Sequence, residues 1–237
     1  MDLFHTMSLR LNAYLRSVNP NFSFEGHTGW CPQKVEALGA VSREGGGRAS
    51  TICEVGFNAG HSSLNWLLSS RTSTRVLAFD LGEHEYMRHS MDFLQAVFPG
   101  RLELIVGDSS VIVPGYAAAE ESAGRDPRVC NVIFVDGDHT EAGAYADLVN
   151  FRAMASRNWN VLAIDDLEFP SVEAAWRRFR EHGGGTLERV VQSIGEHYAD
   201  AQENGSAGWE VRKDATGHGY FMRHGHFSLG IGRYWIE

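Results

Sequence analysis

The sequence predicts an α/β fold with a mostly parallel sheet and an antiparallel strand near the C-terminus. From position 51 onward, five short apolar runs alternate with stretches of helical spacing. Two of these runs end in acidic residues, at the position where parallel strands meet a ligand crevice. The last segment alternates polar and apolar residues with no helix between its strands, which favours an antiparallel edge.

The composition is that of a soluble globular protein. The 237 residues, of which 43% are hydrophobic and 22% charged, suffice for a large core without disulfides or a structural metal. The net charge of −9 argues against nucleic acid or an anionic membrane as the main partner. No run approaches the roughly 20 apolar residues of a membrane span, and no secretory signal is recognisable. We therefore expect a cytoplasmic protein.

The three cysteines form no C-x-x-C pair. Cys53 and Cys130 lie in or beside predicted buried strands, and Cys31 lies upstream. Together with the absence of a signal segment, this spacing predicts reduced core residues in a cytosolic protein.

Residues 1–50 are predicted to form a helical cap with an active-site loop, and residues 51–237 the main domain. Apolar residues from Leu3 to Val18 follow helical spacing, and a second helix is expected from Pro32 to Val41. The first helix is expected to pack on its own domain, with a lid or dimer contact as the alternative. Between the helices, glycines flank His27 and Trp30; this loop either covers an acceptor site or simply packs.

The elements of the main domain follow from these patterns in chain order. Predicted strands are Thr51 to Val55, Arg75 to Phe79, Leu102 to Val106, Val132 to Val135 and Val161 to Ile164. Predicted helices include Ser62 to Leu68, Tyr86 to Phe98, Glu141 to Ala155 and Ser171 to Glu181. Late strands are expected in Leu187 to Val191 and His226 to Ile236, with Glu196 to Gly219 as an exposed loop or small hairpin.

Carboxylates follow the fourth and fifth strands: Asp136 after one, and Asp165 with Asp166 after the other. Neighbouring strands lie about 4.8 Å apart, so these side chains are able to share one cation. Three crowded negative charges favour a cation, and oxygen ligands favour Mg²⁺ or another hard divalent cation. The alternative is that these aspartates only cap helices or solvate turns.

A glycine loop follows the first strand, with Gly56 and Gly60 four residues apart. Glycines there allow close backbone approach to a ligand and positive φ. Position 58 is Asn, which departs from the dinucleotide pattern G-x-G-x-x-G. The second strand leads into Asp80, where an acid accepts hydrogen bonds from ribose hydroxyls, and the third into Gly107-Asp108-Ser109.

The order of these motifs resembles the class I S-adenosylmethionine-dependent methyltransferases, especially the metal-dependent small-molecule O-methyltransferases. The resemblance runs from about Thr51 through Ile164 and is carried by EVGFNAGHSS, FDLGEHEY, FPGRLELIVGDSS, VIFVDGDH and VLAIDD. It implies a Rossmann-like seven-stranded sheet, mostly parallel with an antiparallel C-terminal strand and helices on both faces. It also implies cofactor contacts: Glu54, Gly56, Gly60 and Ser62 for methionine and ribose, Asp80 for the ribose diol, and Asp108 and Ser109 for adenine.

The resemblance also implies that Asp136, Asp165 and Asp166 ligate the metal. Catechol-type relatives commonly have Asn at the third ligand and a Lys base where this chain has His139. An aspartate third ligand resembles the sugar and natural-product enzymes instead. His139 is then the predicted base, and Asp138 either competes with it or orients it. The alternative is that His139 only precedes a helix and has no catalytic role.

Two other functions stay open at this level. A metal-dependent hydrolase would use the acidic centre to activate water but leaves the glycine loop and Asp80 unexplained. A non-catalytic module would bind S-adenosylmethionine or a nucleotide, with the paired aspartates merely structural. The predicted partner is a small-molecule hydroxyl acceptor whose identity the sequence leaves open, as it does a homo-oligomeric state.

Overall fold

The structure, a computed structural model, describes residues 2–20, 23, 26–43, 50–157, 159–182, 186–200, 210–213 and 219–235. Its helices are α1 (Asp2–Val18), α2 (Pro32–Arg43), α3 (His61–Ser69), α4 (Tyr86–Val97), α5 (Ser109–Ser122), α6 (Glu141–Met154) and α7 (Pro170–His182), with a 3₁₀ turn at Thr28–Trp30. Its strands are β1 (Thr51–Val55), β2 (Arg75–Asp80), β3 (Leu102–Val106), β4 (Val132–Val135), β5 (Val161–Ile164), β6 (Thr186–Asp200), β7 (Glu210–Lys213) and β8 (Gly219–Trp235).

The strands form one sheet in the order β3-β2-β1-β4-β5-β8-β6, with β7 beside β8. The first five pair in parallel, and β8 pairs with β5 in the antiparallel sense. The strand order reverses between β1 and β4, which opens a crevice at their carboxyl ends. The α/β, Rossmann-like, mostly parallel sheet is thereby confirmed.

The strand count differs from the prediction. The described backbone contains eight strands rather than seven, because β7 lies within 196–219, where an exposed loop or small hairpin is expected. β7 pairs with the start of β8 in the antiparallel sense, which agrees with the hairpin, and β6 continues to Asp200. The sequence interpretation also did not include α5, which contains Pro114. A proline normally interrupts helical hydrogen bonding, so the local pattern argued against a helix there.

Two apolar clusters, one on each face of the sheet, form the core. Leu11 of α1 and Leu38 of α2 are buried in the same cluster as Leu64 of α3. The N-terminal helix thus packs on its own domain, as its helical spacing predicts. On the opposite face, α5, α6 and α7 contribute Val113, Leu148 and Trp176 to the second cluster, so helices cover both faces.

The cysteine prediction requires correction. Cys53 and Cys130, expected to be reduced, form a disulfide between residues 77 positions apart. Sequence spacing could not indicate this pairing, because the residues meet only when β1 and β4 lie side by side. Cys31 is buried and free. Among the described helices, none is both long and apolar enough to span a bilayer.

Candidate active site

The glycine loop after β1 lies against the carboxyl ends of β2 and β4. Gly56 has a φ of 93°, and a Cβ atom there would overlap the carbonyl oxygen of Asp136. The Gly56 N–H donates to the Phe79 carbonyl at 2.9 Å, and Gly60, with a φ of 77°, caps α3. This close turn leaves the N-terminus of α3 facing the crevice, where it favours polar or anionic ligand groups.

Asn58 and Asp80 fix the shape of this loop. Asn58 adopts a φ of 48°, a left-handed conformation that Asn tolerates better than most residues. Its N–H donates to Asp80 Oδ2 at 2.8 Å, and Gly82 N–H donates to Asp80 Oδ1 at 2.8 Å. Each carboxylate oxygen can accept a further hydrogen bond, so the ribose contact of Asp80 stays a prediction that this geometry permits.

Glu54, predicted to line the cofactor, is fully buried between β1 and α3. Its carboxylate accepts hydrogen bonds from Ser63 Oγ and from Trp66 Nε1, the latter at 2.9 Å. Burial raises the pKa of Glu54 to about 7, although hydrogen bonds from Ser63, Ser62 and Trp66 oppose the rise. Ser62 is buried beside it. The observed contacts of Glu54 are therefore structural, and its contact with a cofactor stays a prediction.

The predicted adenine residues lie at the start of α5. Exposed Asp108 caps the helix by accepting from Ser110 N–H at 2.9 Å. Ser109 Oγ donates to Asp147 Oδ1 at 2.6 Å. Burial raises the pKa of Asp147 to about 6, and its Oδ2 has no hydrogen-bond partner among the described residues. Sequence reasoning missed Asp147, which lies within α6 and carries no local signal.

Asp136, His139 and Asp166 converge at the carboxyl edge of the sheet, and we call them the acidic trio. One ligand atom of each lies within 4.8 Å of the others. Asp166 has a φ of 58°, and its Oδ2 lies 2.9 Å from His139 Nε2. The His139 ring also stacks on Phe169, with centroids 5.0 Å apart. Two contacts therefore fix the imidazole.

Asp165, the remaining predicted metal ligand, lies apart from the acidic trio. Its buried carboxylate forms an ion pair with Lys34 of α2 through Oδ2 and accepts from Asp166 N–H at 3.0 Å through Oδ1. Direct ligation of a metal by Asp165 stays a prediction. Sequence reasoning missed Lys34, because a lysine in an amphipathic helix is typical of a solvated face.

The electrostatics of the acidic trio reflect its crowding. Burial raises the pKa of Asp136 to about 6; Asp166 adds to the rise, whereas the charges of Lys34 and His139 lower it. The hydrogen bond that His139 donates to Asp166 raises the pKa of His139, against the effect of burial. Half-buried, crowded carboxylates of this kind favour the uptake of a proton or a cation.

Asp138, the other predicted catalytic residue, lies outside the acidic trio. It is exposed, and it accepts hydrogen bonds from Thr140 N–H at 2.7 Å and Thr140 Oγ1 at 3.0 Å. Asp166, rather than Asp138, provides the hydrogen bond that orients His139. Asp138 as a competing base stays a prediction.

The residues present fit both the divalent cation and the S-adenosylmethionine that the sequence implies. Asp136 and Asp166 offer converging carboxylate oxygens, the ligands that Mg²⁺ and Mn²⁺ prefer. The glycine loop and Asp80 offer a close-approach backbone and a ribose acceptor, as S-adenosylmethionine requires.

The loop before α2 packs on the start of α3. His27 and His61 stack with ring centroids 3.4 Å apart, and His27 Nε2 lies 3.1 Å from Ser8 Oγ. Burial, with the charge of His27, places the pKa of His61 well below its usual value. His27 thus makes packing contacts, and its contact with an acceptor stays a prediction. The side chain of Trp30 lies outside the described residues.

Comparison with solved structures places this fold among methyltransferases. The O-methyltransferase from Bacillus cereus in complex with SAH shares 15% identity and a TM-score of 0.55, covering 94% of this chain and 89% of that one. The O-methyltransferase TomG from Streptomyces achromogenes, involved in tomaymycin synthesis and in complex with SAM, shares 17% identity and a TM-score of 0.52, covering 84% and 79%. A precorrin-6y C5,15-methyltransferase from Geobacter metallireducens shares 10% identity and a TM-score of 0.55, covering 90% and 94%.

At these identities the structural likeness defines the fold. A comparison with curated proteins returned no significant match. Residues 53–167, which include the glycine loop, Asp80 and the acidic trio, match a family described as a methyltransferase domain. Residues 53–167 thus form a methyltransferase domain, and the fold and the order of the motifs support a methyltransferase of the class I S-adenosylmethionine-dependent type.

Proposed function

We propose that this methyltransferase transfers the methyl group of S-adenosylmethionine to a hydroxyl of a small molecule, assisted by a divalent cation such as Mg²⁺. One observation carries the proposal. The backbone of Asp136 packs on Gly56 of the glycine loop, while its side chain belongs to the acidic trio. A methyl donor on the loop and a hydroxyl held at the trio would therefore be neighbours.

The chain's own residues would divide the work between two sets. When bound, S-adenosylmethionine supplies an electrophilic methyl group, and a divalent cation lowers the pKa of the acceptor hydroxyl. The glycine loop and Asp80 would hold the donor, and Asp136 with Asp166 would hold the cation. Both groups of residues lie at the ends of packed strands, so their positions are fixed before the reactants bind. Bound methyl donor and acceptor would therefore be oriented with a smaller loss of entropy during the reaction.

His139 is the residue proposed to receive the hydroxyl proton. Its side chain is 51% exposed, so a substrate has access to it. The hydrogen bond that His139 donates to Asp166 raises the pKa of His139 and stabilises the imidazolium form. Asp138 is less suited to this role, because it does not belong to the acidic trio and its oxygens already accept hydrogen bonds from Thr140.

A small acceptor agrees with the charge of the chain. The net charge of −9 and the carboxylates of the acidic trio would repel a polyanion, whereas a neutral sugar or phenolic hydroxyl meets no such barrier. The aspartate at position 166 supports a sugar or natural product over a catechol, by the resemblance stated above.

Calorimetry followed by an acceptor screen tests the proposal. Wild type should bind S-adenosylmethionine and, with Mg²⁺, should form S-adenosylhomocysteine from vicinal-hydroxyl sugars or phenolic natural products. Asp136→Asn and Asp166→Asn should each lower turnover about a hundredfold or more but change cofactor affinity less than about threefold. Asp92→Asn, an exposed change on α4, is the matched control.

The outcomes separate the candidate functions. Absence of cofactor binding would exclude methyl transfer. Turnover that resists a chelator would exclude the metal role alone. Hydrolysis of an acceptor without consumption of S-adenosylmethionine would favour the metal-dependent hydrolase.

A further inference from the structure

Lys34 lies near the N-terminus of α2, an unfavourable position for a positive charge in a helix. It belongs to the first turn of α2, where the helix dipole disfavours a positive charge. Its side chain is only 11% exposed, and its ammonium pairs with the 1% exposed carboxylate of Asp165. Charges that are buried to this extent require close partners. The charge of Lys34 is therefore stabilised by the carboxylate of Asp165 at the end of β5 and not by its own helix.

The backbone that carries Lys34 is anchored on both sides. Val35 and Leu38 of α2 are buried in the apolar core. The Val35 carbonyl accepts a hydrogen bond from Asn65 Nδ2 of α3 at 3.0 Å. Because α3 begins directly after the glycine loop, α2 is fixed to the same helix that the loop positions.

The positive charge of Lys34 reaches more than one carboxylate. It forms the ion pair with Asp165, and it also lowers the pKa of Asp136. Both oxygens of Asp165 have protein partners, namely Lys34 and the Asp166 N–H. Asp136 and Asp166 instead direct oxygens toward the shared position with His139.

We propose that Lys34 is a positioning residue of the cation centre: it holds Asp165 as its own counter-ion, outside the ligand set, and leaves the carboxylates of Asp136 and Asp166 as the ligands. The inference rests on the proposed function in assigning these two carboxylates to a divalent cation. Lys34 therefore weakens cation binding through its charge, and its removal makes Asp165 available as an additional negative ligand.

A double-mutant cycle with Mn²⁺ tests this assignment. Mn²⁺ binding to the full-length protein is measured by electron paramagnetic resonance for wild type, Lys34→Met, Asp165→Asn and the double variant. Lys34→Met should bind Mn²⁺ about tenfold tighter or more, because a nearby positive charge is lost. Asp165→Asn should bind about fivefold weaker or worse, because the charge of Lys34 then acts on Asp136 without the carboxylate of Asp165 to offset it. The double variant should lie within about threefold of wild type.

Two results would overturn the proposal. A double variant as weak as Asp165→Asn would mean that Asp165 is itself a ligand. An unchanged affinity in Lys34→Met would mean that Lys34 exerts no control over the cation. Lys34→Arg should keep the wild-type affinity, and Arg88→Met, which removes an exposed charge on α4, is the matched control.

Folding and cofactor binding are measured in parallel. Thermal unfolding and calorimetry with S-adenosylhomocysteine accompany each variant. If Lys34→Met fails to fold, the Mn²⁺ affinity of Asp165→Asn is compared with that of the double variant. This comparison still tests the proposal, because the double variant removes both charges of the ion pair. Failure of wild type to bind S-adenosylhomocysteine would overturn the proposed function without altering the Mn²⁺ pattern. If wild type binds no Mn²⁺, a gain of binding in Lys34→Met supports the inference, and no gain refutes it.

Discussion

Replacing Glu54 by Gln should remove a pH-dependent part of the stability while leaving cofactor affinity intact. Glu54 is fully buried, and its carboxylate accepts hydrogen bonds from Ser63 and Trp66. Gln has nearly the same shape and keeps one acceptor oxygen for Trp66 Nε1. The substitution therefore changes mainly the ability of the side chain to ionise.

The magnitude follows from the pKa of Glu54. Burial raises it from 4.5 to about 7, and this difference corresponds to about 3 kcal/mol. Because the folded-state pKa is raised, the stabilising contribution is fully present below pH 4.5 and is lost as the pH rises through about 7. Asp147 titrates in wild type and variant alike, whereas the charge of Asp136 contributes to the raised pKa of Glu54, so the difference between the two proteins reports Glu54 together with its interaction with Asp136.

Urea unfolding at several pH values measures this effect. The free energy of unfolding of wild type should fall between pH 5 and pH 8 by about 3 kcal/mol more than that of Glu54→Gln. Glu121→Gln, an exposed change at the end of α5, should retain the wild-type profile. Identical pH profiles for wild type and Glu54→Gln would refute the buried ionisation. A loss of S-adenosylhomocysteine affinity of about tenfold would instead show that Glu54 binds the cofactor.

Three other predictions concern the loop, the base and the disulfide. Gly56→Ala should abolish S-adenosylhomocysteine binding in calorimetry, because its Cβ would overlap the Asp136 carbonyl; Gly115→Ala, which has open space, should bind normally. His139→Ala should collapse turnover while sparing cofactor affinity, and unchanged turnover would remove His139 from the mechanism. Denatured, unreduced protein should titrate one thiol, that of Cys31, so three thiols would contradict the disulfide.

The strands of the main sheet could be predicted because their signal is local. Central parallel strands are buried on both faces, so β1, β4 and β5 appear as continuous apolar runs, and their observed bounds match those predicted. The missed helix α5 has a weaker local signal, since Pro114 interrupts its pattern. Strand β6 extends into polar sequence, where pairing with β8 outweighs composition.

The sequence also predicts that residues at strand ends lie at one edge of the sheet, because the strands themselves are predictable. It does not predict which side chains these residues contact. Topology brings Asp136 and Asp166 to the same edge of the sheet, which strand order alone predicts. The pairs Lys34 with Asp165 and Ser109 with Asp147 join distant segments through helix packing. Neither pair has a spacing that marks it in the sequence.

The adjacent aspartates after β5 show most directly what sequence spacing omits. Asp165 continues from the buried strand and directs its carboxylate to Lys34 beneath α2. Asp166 adopts a φ of 58°, and its carboxylate lies beside His139 instead. Two identical, consecutive side chains thus have different partners. A motif of two aspartates is compatible with shared ligation of one cation or with this division of partners, and only the folded structure distinguishes the two arrangements.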